Sequence, residues 1–139
     1  ITKYKAEQYV SALERAFVLQ RLLPAGTNVL KEPKILLMPP LRLLHLPLKE
    51  ARGALREDFF VFALRQAGFD LSYLKGTRGQ KTPDFLLRQK ERNLVFEVGG
   101  KGKGRSRFKG IEADRKIVFS EGGSLSREAI PLNLAGMLA

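Results

Sequence analysis

Pro83-Asp84-Phe85-Leu86-Leu87, then Val95-Phe96-Glu97-Val98 running into Gly99-Gly100-Lys101-Gly102-Lys103, places one acid in each of two consecutive apolar runs. Two short apolar runs separated by the tight polar turn Gln89-Lys90-Glu91-Arg92 read as paired strands. Side chains alternate along a strand, so Asp84 shares a face with Leu86, and Glu97 shares one with Val95 and Gly99. Each acid interrupts an apolar strand, where a carboxylate is costly unless paired, hydrogen-bonded or bound to a cation. Both are therefore site candidates. The structural alternative is an acid at a strand end, solvated or bonded to a neighbouring backbone group.

Working outward, strand-like pieces also occur at residues 69–74 and 115–119, so the two central runs, 83–88 and 93–98, have neighbours on either side. Ala51 to Ala67 reads as an apolar-rich helix closed by Gly68, the usual left-handed residue after a helix end. Residues 130–138 read as a short strand and a helical turn. One helix followed by several strands predicts a mixed α/β sheet of the α+β kind, not a bundle.

Upstream, Ala6, Tyr9, Val10, Leu13, Ala16 and Phe17 recur at three- and four-residue intervals after Thr2, a good N-cap, which predicts an amphipathic helix. Residues 18–23 and 35–38 are strand-like and flank the turn cluster Pro24-Ala25-Gly26-Thr27-Asn28, the pattern of a two-stranded wing. Pro39-Pro40 ends the second of these, and Leu41, Leu43, Leu44 and Leu46 suit one short helix before Pro47. Residues 1–48 thus read as a winged-helix-like segment and residues 49–139 as a second unit. His45, flanked by leucines, is most simply a histidine at the edge of a core.

The 139 residues suffice for a real core without staples. With no cysteine, disulfides and thiolate metal sites are excluded, and a lone histidine cannot build a zinc site without several carboxylates. A reducing, cytoplasmic setting is expected. No apolar run approaches a membrane span and the first residues lack a signal peptide's apolar stretch; the missing initiator methionine suggests a fragment. The net charge of +11, from 25 basic against 14 acidic residues, favours polyanionic partners. Its distribution is more telling. Lys101, Lys103, Arg105, Arg107 and Lys109 lie among glycines with no acid between them, an arrangement suited to contacting a nucleic-acid backbone without choosing a sequence. A solvated basic loop, or one that docks an acidic protein, is the bland alternative.

Glu57 lies at helical spacing with Phe60, Val61 and Leu64 and so projects from the apolar side of the second helix. The alternative is an acid in the helix's first half favoured by the macrodipole, with Asp58 beside it playing the same part. Glu57, Asp84 and Glu97 together would supply the hard oxygen ligands of Mg2+ or Mn2+, leaving coordination positions for water and phosphate oxygens. Such a metal activates water and neutralises charge on a scissile phosphate.

These residues resemble the PD-(D/E)XK nuclease superfamily, whose core has a helix bearing an acid, a hairpin carrying Pro-Asp and an acid-x-Lys strand; the matches are Glu57, Pro83-Asp84 and Glu97. Over nearly its whole length the chain also resembles the C-terminal region of bacterial and archaeal AAA-type ATPases, in which a winged-helix-like segment precedes such a nuclease-like domain. The residues carrying that resemblance are 9–17, 34–37, 53–60, Thr82-Pro83-Asp84-Phe85 and Phe96-Glu97-Val98-Gly99-Gly100-Lys101. It implies a restriction endonuclease-like sheet, nucleic acid as partner (DNA more than RNA), an ATPase domain in the parent chain that alone would bind ATP, and an oligomer as an open option.

One departure bears on the chemistry: Gly99 stands where that family's lysine is expected. Lys101 is the nearest substitute. In a continuing strand it lies about 13 Å from Glu97 along the chain, so it serves only if Gly99-Gly100 bends the backbone back, or a lysine such as Lys81 takes its part. The competing reading is a catalytically silent interaction module that binds nucleic acid or a protein partner of the ATPase. An adaptor using the winged segment for protein contact is a third. The stretch from Gly99 to Ser106 also approaches a P-loop, G-x-x-x-x-G-K-S/T, but Arg105 replaces the essential lysine and the residues after it do not promise a helix.

Overall fold

The computed structural model describes residues 1–26, 32–76, 82–100, 108–122, 125–126 and 129–138. Helix α1 spans Lys3–Arg15, with Thr2 Oγ1 accepting from the Lys5 N–H as the expected N-cap. Strands β1 (Leu19–Leu22) and β2 (Lys34–Leu37) form an antiparallel hairpin, followed by the one-turn helix α2 (Pro39–Arg42) and the long helix α3 (Leu48–Gln66). Proline at the start of α2 removes an N–H that a first turn leaves unbonded in any case, so Pro39 begins the helix as well as ending the strand.

Strands β3 (Leu71–Tyr73), β4 (Phe85–Gln89), β5 (Arg92–Gly99), β6 (Arg115–Ser120) and β7 (Ala129–Pro131) make a five-stranded sheet in that order, and a 3-10 helix runs over Leu132–Leu138. β3, β4 and β5 are antiparallel neighbours, while β5, β6 and β7 run parallel. The chain is therefore α+β with a mixed sheet, as the order of elements predicted. β4 and β5 meet through the two residues Lys90 and Glu91, with Lys90 at φ 56° in the left-handed region.

Alternation along the strands divides the sheet into two apolar faces. Phe85, Leu87, Phe96, Val98 and Phe119 pack with Phe60, Val61 and Leu64 of α3. On the opposite face Leu86, Val95 and Val118 pack with Phe108. Phe60 is fully buried, with ring centroids 5.5 Å from Phe85, 5.4 Å from Phe96 and 4.8 Å from Phe119, the separations at which aromatic pairs attract. At the end of α3, Gly68 at φ 81° lets its N–H reach Arg65 O (2.9 Å) and the Phe69 N–H reach Leu64 O (2.9 Å), the Schellman pattern of a glycine stop.

The hairpin does not close a core of its own: Leu22 and Leu36 belong to the cluster formed by α3 and the sheet. Beyond β1 the chain continues alongside β3, the Tyr73 N–H donating to Leu23 O (3.0 Å) and the Ala25 N–H to Tyr73 O (2.8 Å). Residues 1–48 and 49–139 thus share one apolar interior. The tie between them is Asp58 of α3. Its carboxylate, with a side chain 0% exposed, accepts from Arg42 Nε and Nη2 and from the Leu37 N–H (3.2 Å). Gln20 Nε2 donates to the Asp58 carbonyl (3.0 Å). His45 is exposed in the turn after α2, not at a core edge, because the peptide turns there toward solvent. Among the described residues no helix is long and apolar enough to cross a membrane.

Candidate functional site

Glu97 lies inside β5 and is fully buried. Its neighbours Phe96 and Val98 face α3, so its own side chain projects to the opposite face with Val95. Asp84 immediately precedes β4, and its Oδ2 accepts from the Val98 N–H (2.8 Å), while its own N–H donates to Phe96 O (3.0 Å). The Asp84 carboxylate thus occupies the hydrogen-bonding position that a continuing strand would have filled, beside the peptide that joins Glu97 to Val98. The strand pairing sets Asp84, at the start of β4, against the segment of β5 that carries Glu97.

Glu57 is elsewhere. Its Oε2 accepts from Lys34 Nζ (2.5 Å), and that ammonium lies 5.1 Å from the centroid of the Phe85 ring. Phe85 faces α3, so Glu57 sits on the helical side of the sheet and Glu97 on the other. Among the described residues no group of three or more His, Cys, Asp or Glu side chains is placed to hold a metal. Of the three expected carboxylates, Glu57 therefore lies apart from Asp84 and Glu97. What sequence spacing could not show is that the adjacent acid, Asp58, is the buried one.

The basic residues follow β5. Lys109 is exposed, in a turn with Gly110 at φ 75°. Lys101, Lys103, Arg105 and Arg107, like Lys81, lie outside the described residues, so the bend needed to bring Lys101 back to Glu97 does too.

Comparison of the chain with protein-family models, curated proteins and solved structures gives no match. The site has to be read from its own geometry.

Where β5 ends, an arginine that sequence reasoning passed over comes close. A Cβ at Gly100 would fall 3.2 to 3.4 Å from the Arg56 guanidinium, tighter than ordinary side-chain contact. Arg56 is held there by Glu121, whose N–H donates to Gly99 O (3.2 Å) and whose Oε2 accepts from Arg56 Nε (2.9 Å). The detectable signal was Gly100 itself. It occupies a strand phase directed at α3, where lack of a side chain leaves room for another group to approach.

Two groups away from the acid pair have shifted titration. Hydrogen bonding to Asp58 is the main influence on the Arg42 guanidinium and, against the effect of burial, raises it above its ordinary value. For Glu14, burial acts to raise the carboxyl, but backbone and side-chain hydrogen bonds from Arg21, with the charges of Arg21 and Arg65, prevail and hold it below its usual range. Both are fastenings between elements. Arg42–Asp58 joins α2 to α3, and Glu14 joins the end of α1 to β1 and, through Arg65 Nη1 at 3.6 Å, to α3.

Proposed function

We propose that the chain is a nucleic-acid-binding, nuclease-like module with a restriction endonuclease-like sheet, and that Asp84 and Glu97 are the centre of a metal-dependent phosphodiesterase site on DNA. The observation that carries this reading is the Asp84 carboxylate bonded to the Val98 N–H, at the peptide that follows the buried Glu97. Two acids on neighbouring strand segments suit magnesium or manganese, since such ions commonly take one or two carboxylates and complete their shell with water and phosphate oxygens. The bound ion would supply water activation and charge neutralisation at the phosphate. The chain's own part is to hold the two acids in register on paired strands and to present the basic, glycine-rich residues 99–110 to the nucleic-acid backbone. Glu57, tied to Lys34 on the other face, is left out of the proposed ligand set. Attachment to an AAA-type ATPase domain belongs to the same proposal and rests on the sequence resemblance.

A second reading, a binding module without cleavage, is favoured by two observations: glycine at position 99 in place of an ammonium group, and the bond between Asp84 and a strand N–H, which gives that acid a structural use. Incubating the protein with labelled single- and double-stranded DNA in magnesium or manganese separates the two. Cleavage abolished by Asp84→Asn and by Glu97→Gln, with DNA binding retained, supports the phosphodiesterase. Binding without cleavage in the unaltered protein rejects it in favour of the silent module.

A further inference from the structure

On the helical side of the sheet, opposite the face that Glu97 points to, an open groove of about 900 Å3 runs between α2, α3 and the terminal 3-10 helix. Its walls include Pro39, Leu43, Leu48, Leu55, Phe59 and Leu132. Several of these surfaces are unusually bare for their type: Leu43 is 46% and Leu48 54% exposed, and Leu44, next in the chain, is 78% exposed. A concave apolar surface of this size with a few charged groups at its side is the ordinary form of a binding site.

The charged groups are Arg52, Arg56 and Glu121. Arg56 is bonded to the Glu121 carboxylate, and Arg52 Nε lies 3.8 Å from the other oxygen with its side chain 57% exposed. Among the described residues two guanidiniums therefore share one carboxylate, so the groove's side carries more positive than negative groups. One turn of α3 separates them, so they form a ladder that can meet acids spaced three or four residues apart on a facing helix. A second copy of this chain is a poor occupant, because each copy carries a formal charge of +11.

We propose that this groove receives an acidic amphipathic helix from a partner protein, its apolar side chains seated against Leu43, Leu48, Phe59 and Leu132 and its carboxylates on Arg52 and Arg56. Glu121 occupies the anionic position until the helix arrives. This proposal is independent of the Asp84–Glu97 reading and stands or falls without it. Helix-in-groove recognition of this kind draws affinity from apolar anchors and orientation from the flanking charges.

The test uses fluorescence anisotropy with three labelled sixteen-residue peptides: one with a leucine stripe and glutamates on its flanks, one with lysines for glutamates, and one acidic but with the leucines replaced by glutamine. Saturable binding of the first alone is expected. Leu48→Asp should weaken it at least about tenfold, the cost of losing one buried leucine contact. Arg52→Glu should weaken it about fivefold, and Glu121→Gln, by releasing both guanidiniums, should tighten it about threefold. Both charged residues are exposed enough for their variants to fold, which thermal melts verify. Equal binding of the glutamine peptide, equal binding of the lysine peptide, or absence of saturable binding by the leucine–glutamate peptide would each overturn the proposal.

Discussion

Helices α1 and α3 carry similar sequence signals and have opposite fates. Both show apolar residues at helical spacing, and both end in the same hydrogen-bond pattern. In α1 the Val18 N–H donates to Leu13 O (2.9 Å) and the Phe17 N–H to Glu14 O (3.1 Å), the counterparts of the two bonds around Gly68. Yet α3 buries Ala51, Asp58, Phe60, Val61, Ala63 and Leu64, and α1 buries none of its residues. Along the stripe that predicted α1, Tyr9 is 60%, Leu13 41% and Phe17 71% exposed. An amphipathic pattern states which face a helix offers. It does not state that a surface exists to receive it. α3 lies across a sheet whose phenylalanines converge on Phe60, whereas among the described residues the side-chain bonds of α1 centre on the carboxylate of Glu14, at its last turn.

The contrast can be broken at several points. Phe60→Ala should be the most damaging change, lowering stability by about 4 kcal/mol in urea denaturation because it opens a cavity against three rings. A loss under about 1 kcal/mol would mean that α3 is no better anchored than α1. Asp58→Ala should cost about 3 kcal/mol, since it strands the Arg42 guanidinium and the Leu37 N–H at the same time. If Asp58→Ala and Arg42→Ala melt at the unaltered protein's temperature, the hairpin is not tied to α3 by this pair.

At the end of α1 the effect should reverse. Phe17 holds φ 55°, a left-handed conformation that its Cβ disfavours and that Gly68 adopts freely. Phe17→Gly should therefore raise stability by about 1 kcal/mol, measured as an upward shift in the denaturation midpoint. A decrease would show that the exposed ring has a packing role after all.

The smallest expected effect concerns pH. Glu14's carboxyl is lowered in the folded state, so its contribution is present above the ordinary carboxyl range and is lost as pH falls through the lower folded value. Proteolysis of the first helix should accelerate as the solution is acidified below about pH 4.5. Glu14→Gln should show fast cleavage already at neutral pH with little further acceleration. An identical acid response in both would remove Glu14 as the fastening.

Much of this architecture was legible in the residues. The strands around Phe85 and Phe96 were marked by apolar runs on either side of a polar turn, and Gly68 marked the end of α3. Asp84 and Glu97 were legible as neighbours, because a hairpin brings the start of one strand to the end of the next. Glu57 was not. Helical spacing put it beside Phe60 and Val61 but left undetermined that Lys34, arriving from β2, would hold it on the helical side of the sheet. Asp58 could not be distinguished from Glu57 by composition, and only Arg42, sixteen residues earlier, makes it the buried acid.

By itself, then, the sequence determined the features that backbone periodicity and local hydrogen bonding control: the alternation of strand faces, the glycine stop, the N-cap at Thr2 and the pairing that seats Asp84 beside Glu97's strand. The tertiary structure alone decided which of two adjacent acids is enclosed, that α1 leaves Tyr9, Leu13 and Phe17 exposed, and that Arg56 approaches Gly100. Those outcomes depend on surfaces supplied by distant segments. A side chain's burial is set by what meets it, and local spacing carries no record of that partner.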